Sequence, residues 1–557
     1  MARAGRSATG LEHLFAVALA AAYLVILLAT AWEIGFTRDE GYYFRAAELY
    51  LGWFGTLWEG LRGGDLSALR DDVIARYWSY NSEHPVLLKT LFGLSWKLFH
   101  ETLGWTSHAT AYRLPAMLLA AGMIYLVGLF AVEAYGQGIA LFSMLALAAI
   151  PRLFHDAHLA CFDVGIATLQ LAVVYAYWRG LTSVRWSLLT GALFGLALAT
   201  KHNALFVPAI LGAHALLRDR QRTEGGDPPG PPGPLVFLAM ALLGPLIFLL
   251  HWPYLWHQPL ARLGLYLRFH LHHEHYPVEY FGHVLAQPPF PPSFVFVMTW
   301  VTVPLATVVL MTVAVLRGLR HELAVGRGGL LSSDSERHDG QRTRLLLLLA
   351  GLVPMLVMTL PGVPIFGGVK HWFTAMPTLA ILAGVEFDRL ARWVLGPRRL
   401  ALGWGRAAYG GLALLTLLPG LLGIRLVHPY GIAFYNELVG SLRGAAELGM
   451  QRNFWGYASR GNLAYFNEHV EPRGRVFFPP TNLDSYRAYL LDGLLRGDIR
   501  YSATLDEAGW ANIACEGTVA DDEYRVWSDW QTGRPVAGVY LDEVPMDLVY
   551  QRPHERR

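Results

Sequence analysis

Long apolar runs recur along most of this chain, and they decide its class. About eleven stretches are long enough, or nearly so, to cross a bilayer. They cover 13–35, 113–133, 138–153, 160–179, 186–200, 203–217, 234–252, 293–316, 344–360, 372–389 and 408–426. Apolar residues make up 54% of the chain and charged residues only 16%, less charge than a water-soluble domain carries. The expected fold is therefore mainly α, a polytopic membrane protein with about eleven transmembrane helices. Several stretches within 138–217 run only about 15 residues, short of the ~20 that a straight span needs. Helices that end inside a membrane make sense where they line a polar cavity. A net charge of +2 lacks the basic footprint of a nucleic-acid partner. Cys161 and Cys515 make no disulfide framework. The first apolar stretch follows a basic start, as a signal peptide does, but is too long for one and reads as a retained span.

Orientation follows from the Lys and Arg residues of the short loops. Alternating spans put Arg179, Arg185, Arg218, Arg220, Arg222, Arg317, Arg320, Arg327, Arg337, Arg342, Arg344, Arg389, Arg392, Arg398, Arg399 and Arg406 on the side of Arg3 and Arg6. That side is expected to be cytoplasmic. The opposite short loops hold almost only Lys201 and Lys370. Residues 1–426 then form the membrane domain, and residues 427–557 an extracytoplasmic module of domain size, read as a small α/β or α+β domain. Its expected elements are strands at Arg475–Phe478 and Val536–Tyr540 and a helix from Leu483 to Leu495. Two more outer segments are large: 36–112 after the first span and the His-rich 253–292 before the eighth. Segments 223–234 and 326–343 read as cytoplasmic linkers by composition.

The informative polar residues fall at the outer ends of these spans. The first span ends in Phe36-Thr37-Arg38-Asp39-Glu40, and carboxylates at the mouth of a span need partners, water or a function. Thr37 and Glu40 fit a capping box, which gives Glu40 a structural reading beside a substrate-binding one. Neighbouring helical residues do not share a face, so Asp39 is favoured as the one that points into a site. Glu83-His84-Pro85 stands at a helix entrance, where backbone N–H groups bind anions; a solvated loop is the plainer alternative. Asp163 opens a long apolar run and is costly there unless paired or hydrated. Lys201 breaks two short apolar helices, where it suits a phosphate or simply snorkels. Lys370 and His371 open another outer helix. His273 and His275 belong to a cluster that offers phosphate contacts or metal ligands, without a specific zinc spacing.

At these residues the chain resembles the GT-C class of polytopic, lipid-linked-sugar-dependent glycosyltransferases. The likeness is to the bacterial branch near protein O-mannosyltransferases and the lipid A aminoarabinose transferase. It is carried by Asp39-Glu40 after the first span, Glu83-His84-Pro85, Arg113-Leu114-Pro115, Asp163 and Thr200-Lys201, and covers 36–205. His84-Pro85-Val86 stands where many relatives have two prolines. The resemblance implies that Asp39 is the catalytic base, or holds the acceptor or a metal. It implies that Asp163 is a second acid and that Lys201 holds a lipid phosphate.

The implied reaction is an inverting transfer of a sugar from a polyprenyl-phosphate donor to a lipid, glycan or protein acceptor. Its expected place is the extracytoplasmic face of a bacterial inner membrane. Phosphate is a good leaving group, so one carboxylate acting on the acceptor suffices, unlike the paired carboxylates of hydrolases. Lys201, the histidines, or a divalent ion held by Asp39, Asp163 and His275 would offset charge on the leaving group. The rival reading is a lipid or ion transporter that uses the outer acids as a relay. A transporter needs polar residues near mid-membrane as well, and the spans here are otherwise clean.

Overall fold

The computed structural model describes residues 7–224, 233–326, 341–400 and 403–553. Helices occupy all eleven apolar stretches. Among the described residues, four helices are each long and apolar enough to cross a membrane: Gly10–Glu33, His108–Ala134, Pro234–His251 and Gly403–Val427. The stretch 138–153 is split between Gln137–Ala148 and Pro151–Asp156, and Val184–Leu198 is also short. The stretch 293–316 is likewise broken, into Phe294–Thr302 and Leu305–Gly326, because Pro304 cannot continue a helix interior. The central parts of the expected linkers, 225–232 and 327–340, lie outside the described residues, as do Arg3, Arg6, Arg327 and Arg337.

Small residues set the helix packing. A side chain on Gly191 would meet the Ala239 backbone at 2.5 Å, and one on Gly195 would meet Ile247 at 2.7 Å. Helices Val184–Leu198 and Gly233–His251 therefore pack at a spacing that small residues permit in membrane bundles. After the first span the chain bends at Ile34 and enters helix Arg38–Gly63. That helix is started by the Thr37 capping box and stopped by Gly64 in the left-handed region, φ 73°, the usual glycine stop.

Among the described residues, two small sheets complete the fold. The segment before the eighth stretch carries a hairpin, β1 (Val278–Tyr280) with β2 (His283–Leu285). The C-terminal region holds β3 (Arg475–Phe477), β4 (Arg500–Ser502), β5 (Trp510–Ala514), β6 (Ala537–Leu541) and β7 (Val544–Gln551), in the spatial order β4-β3-β5-β7-β6. β3 runs parallel to β4 and β5, whereas β7 is antiparallel to β5 and β6. The helix expected over Leu483–Leu495 ends at Leu491, where the chain turns through Gly493 at φ 69°. This region is docked on the start of helix Arg38–Gly63. The Phe36 amide donates to the Tyr489 hydroxyl (2.9 Å), Ser485 Oγ donates to the Thr37 carbonyl (2.9 Å), and Asn482 Nδ2 donates to the Arg38 carbonyl (2.7 Å).

Candidate active site

The first helical turn after Thr37 sends its two acids in different directions. Asp39 faces a cavity of about 860 Å³, whereas Glu40 does not line it. Glu40 is fully buried and accepts from Arg113 Nε and Nη2 at 2.8 Å each, from the Ala160 amide at 3.0 Å and from the Thr37 amide at 3.1 Å. Arg113 also donates to the carbonyls of Ala31, Ile34 and Gly35. This corrects the expectation of Glu40 as a substrate-binding residue. Its oxygens are saturated by donors that hold the chain together, and none is left for a ligand.

Asp39, Glu83, His84, Asp163, Lys201, His273, His275, Lys370 and His371 all line the one cavity. Lys201 Nζ donates to Asp163 Oδ1 at 2.6 Å, and Lys370 Nζ to Asp39 Oδ2 at 3.2 Å. Arg38 Nε stands 3.6 Å from the other Asp39 oxygen. Burial pushes the Asp39 carboxyl up, but Lys370 and Arg38 outweigh it and hold it below the usual carboxylate range. Burial works against the Lys370 ammonium too; Asp39 and Asp163 overcome it and raise Lys370 above its ordinary value. Each favours the charged form of the other.

Sequence position explains how these groups meet. Asp163 is the first residue of helix Asp163–Gly180. Lys201 lies in extended backbone between helix Val184–Leu198 and a short 3-10 turn. Lys370 opens another 3-10 turn, Lys370–Ala375. All three sit where a helix has run out, so polar groups are presented without interrupting a span. The loop that carries Glu83 and His84 is pinned from below by Lys89, a fully buried ammonium. It donates to Asn81 O (2.7 Å), Asn81 Oδ1 (3.1 Å) and His84 O (3.1 Å). Burial, only partly opposed by the Glu83 carboxylate, pushes Lys89 down to about 7.

The histidines form a neutral wall. His202 and His270 rings lie 4.1 Å apart, and a ring nitrogen of His270 meets the Glu83 carbonyl at 3.0 Å. His273 stacks on Phe366 at 5.0 Å, and Asn203 Nδ2 donates to the His371 carbonyl at 3.1 Å. Burial holds His84, His202 and His371 well below the usual imidazole range and pushes His270 down to about 4. Leu205, Phe206, Leu267, Leu271, Val357 and Met358 supply an apolar side to the same cavity.

A divalent ion does not fit the donors as arranged. Asp39 and Asp163 are each occupied by an ammonium group. His275 packs on Phe290 at 5.2 Å. Among the described residues, no three His, Cys, Asp or Glu side chains gather into a ligand set.

Four residues that shape this site gave no local signal. The Lys370 ammonium stands over the rings of Trp455 and Phe366 at 4.1 and 5.4 Å, and Tyr276 lies 5.1 Å from the Arg38 guanidinium. Arg38 itself was overshadowed by the acids that follow it. A run of aromatics beside glycines, Phe454-Trp455-Gly456 and Phe366-Gly367-Gly368, is the only hint that the sequence offers.

Residues 83–258 match the family model for dolichyl-phosphate-mannose-protein mannosyltransferase. No curated relative matches the chain. Among solved structures, the archaeal oligosaccharyltransferase of Archaeoglobus fulgidus in its apo form matches at a TM-score of 0.52 and 12% identity, over 89% of this chain and 65% of that one. The oligosaccharyltransferase AglB from Archaeoglobus fulgidus, in complex with an inhibitory peptide and a dolichol-phosphate, matches at 0.50 and 13%, with the same coverage. ArnT from Cupriavidus metallidurans bound to undecaprenyl phosphate matches at 0.48 and 15%, over 96% of this chain and 98% of that one. At these identities the archaeal matches speak to fold.

Proposed function

We propose that this GT-C-like, multi-pass membrane protein is an inverting glycosyltransferase. It moves a sugar from a polyprenyl-phosphate donor to a lipid, glycan or protein acceptor at the extracytoplasmic face of a bacterial inner membrane. The observation that carries this reading is the meeting of two lysine–carboxylate pairs, Lys201–Asp163 and Lys370–Asp39, in one cavity with an apolar side. Carboxylates alone would repel a phosphate. Two ammonium groups beside them make the cavity a receptor for one, and the apolar side suits a lipid chain. The family match over 83–258 and the dolichol-phosphate in the archaeal complex support the same donor class.

In the reaction, the bond between the anomeric carbon and the phosphate oxygen breaks as the acceptor oxygen or nitrogen attacks the opposite face. The leaving phosphate gains a negative charge, which Lys201 and Lys370 offset. Asp39 takes the acceptor proton. In the resting pair Asp39 is a weak base, because Lys370 and Arg38 hold its carboxyl low against the effect of burial. When Lys370 turns toward the donor phosphate, that restraint falls and Asp39 becomes a stronger base. Donor binding thereby arms the base before the acceptor reacts.

The counter-charge in this mechanism is ammonium, so transfer is expected to persist in EDTA. The principal test uses membranes that carry Asp39→Asn and a panel of radiolabelled polyprenyl-phosphate sugars. Protein should accumulate as in the wild type while transfer falls by about 10²–10⁴. Near-normal transfer removes Asp39 as the base.

A further inference from the structure

The C-terminal region meets the Asp39–Lys370 pair most closely at Trp455. Trp455 is buried, and its ring lies 4.1 Å beneath the Lys370 ammonium. Its backbone carbonyl accepts from the Arg38 amide at 3.0 Å, one residue before Asp39. A single tryptophan thus touches Lys370 through its ring and the residue before Asp39 through its main chain.

The contact is built at some conformational cost. Trp455 has φ 60°, a left-handed conformation that a bulky residue rarely adopts unless its surroundings impose it. Those surroundings are on both sides. Asn453 Nδ2 donates to the Met546 carbonyl of β7 at 2.6 Å, the Phe454 amide donates to Asn453 Oδ1 at 2.9 Å, and the Gln451 amide donates to the Glu279 carbonyl of β1 at 3.1 Å. Opposite the ring, Gly367 is also left-handed, and a Cβ there would lie 2.7 Å from Trp455 Cζ2. The turn before Lys370 has room for an indole only because that side chain is missing.

We propose that Trp455 is a positioning residue for the Asp39–Lys370 pair: its ring holds the lysine ammonium at the cavity while its carbonyl fixes the start of the helix that carries the aspartate. The inference rests on the reading of the cavity as a phosphate-binding transferase site. An ammonium is attracted to a ring face without a fixed hydrogen-bond direction. Lys370 can therefore pivot from carboxylate to phosphate and keep this contact throughout. A second hydrogen-bond acceptor in the place of the ring would compete with the phosphate instead.

The test measures Lys370 directly. Full-length protein in detergent is pulsed with a water-soluble acetylating ester, and modification is read by peptide mass spectrometry, with the exposed Lys97 as internal standard. In Trp455→Leu, Lys370 should react about tenfold faster, as expected for loss of a desolvated ring contact, with Lys97 unchanged. Trp455→Phe keeps a smaller face and should give a rise of about threefold. It decides the matter alone if the leucine variant does not elute as monodisperse protein. Wild-type Lys370 rates in the folded variants overturn the clamp. Undecaprenyl phosphate binding is measured on the same samples and should weaken about tenfold in Trp455→Leu, and less in Trp455→Phe. Fast Lys370 labelling with unchanged phosphate binding leaves the clamp standing and overturns the phosphate-site reading on which its purpose rests.

Discussion

Asp39 and Glu40 leave adjacent positions of one helical turn and enter two different regions. Glu40 enters a buried hub below the helix start, where Arg113 grips both of its oxygens and the remaining donors to it are the Thr37 and Ala160 amides and the Thr37 hydroxyl. Asp39 enters the cavity, where its partners are a lysine at 3.2 Å and an arginine at 3.6 Å. Both carboxylates are paired, so pairing alone does not separate structure from function. The difference lies in exchange. The Arg113 guanidinium donates to Glu40 and to three backbone carbonyls at once, and it cannot move without unsatisfying all of them. Lys370 stands between a carboxylate and two rings, and a phosphate can take the carboxylate's place.

The contrast breaks most sharply at the hub. Glu40→Gln leaves the buried Arg113 charge without its partner, at a cost of about 3–5 kcal/mol. Little folded protein should be recovered by size-exclusion chromatography, while Asp39→Asn elutes as the wild type does. Equal recovery of the two variants would dissolve the distinction between hub and cavity.

A pH titration sharpens it next. Burial keeps His84, His202 and His371 well below the ordinary imidazole range and His270 at about 4. Unfolded chains take up protons on these rings below pH ~6.5 and the folded cavity does not. Stability is therefore complete above that pH and is lost as pH falls toward the folded values, by up to about 1.4 kcal/mol per pH unit for each ring. Thermal midpoints recorded from pH 7 to 5 should fall, and His202→Gln should flatten the slope. A midpoint independent of pH would mean that the rings are hydrated and free to charge. The smallest effect belongs to the cap: Thr37→Ala should cost ~1 kcal/mol, read as a lower thermal midpoint, with Thr37→Ser near the wild type. A larger loss would place Thr37 within the hub proper.

Much of the site can be read from residues that are expensive where they stand. Asp163, Lys201 and Lys370 interrupt or open apolar stretches, and such residues persist in a membrane protein only when paired or hydrated. The partners themselves are not legible. Nothing local says that Lys201 meets Asp163 rather than Asp39, because the pairing depends on how short helices pack. Glu40 was ambiguous for a related reason: the capping box is a local signal, but Arg113 comes from the next long helix. In the C-terminal region, β5 (Trp-Ala-Asn-Ile-Ala) is buried along its whole length, so it lacks the alternation by which a half-exposed strand is recognised. Trp455 was invisible because its work is done by a left-handed backbone and a ring aimed at a distant lysine, and neither leaves a pattern in composition or spacing.

The central claim is that the two cavity lysines hold a lipid phosphate beside two carboxylates. Its most direct measurement is the affinity of undecaprenyl phosphate for purified wild-type protein, Lys201→Met and Lys370→Met, in one detergent at one salt concentration. Loss of a charge-assisted hydrogen bond predicts about 10–100-fold weaker binding for each variant. Wild-type affinity in both would contradict it.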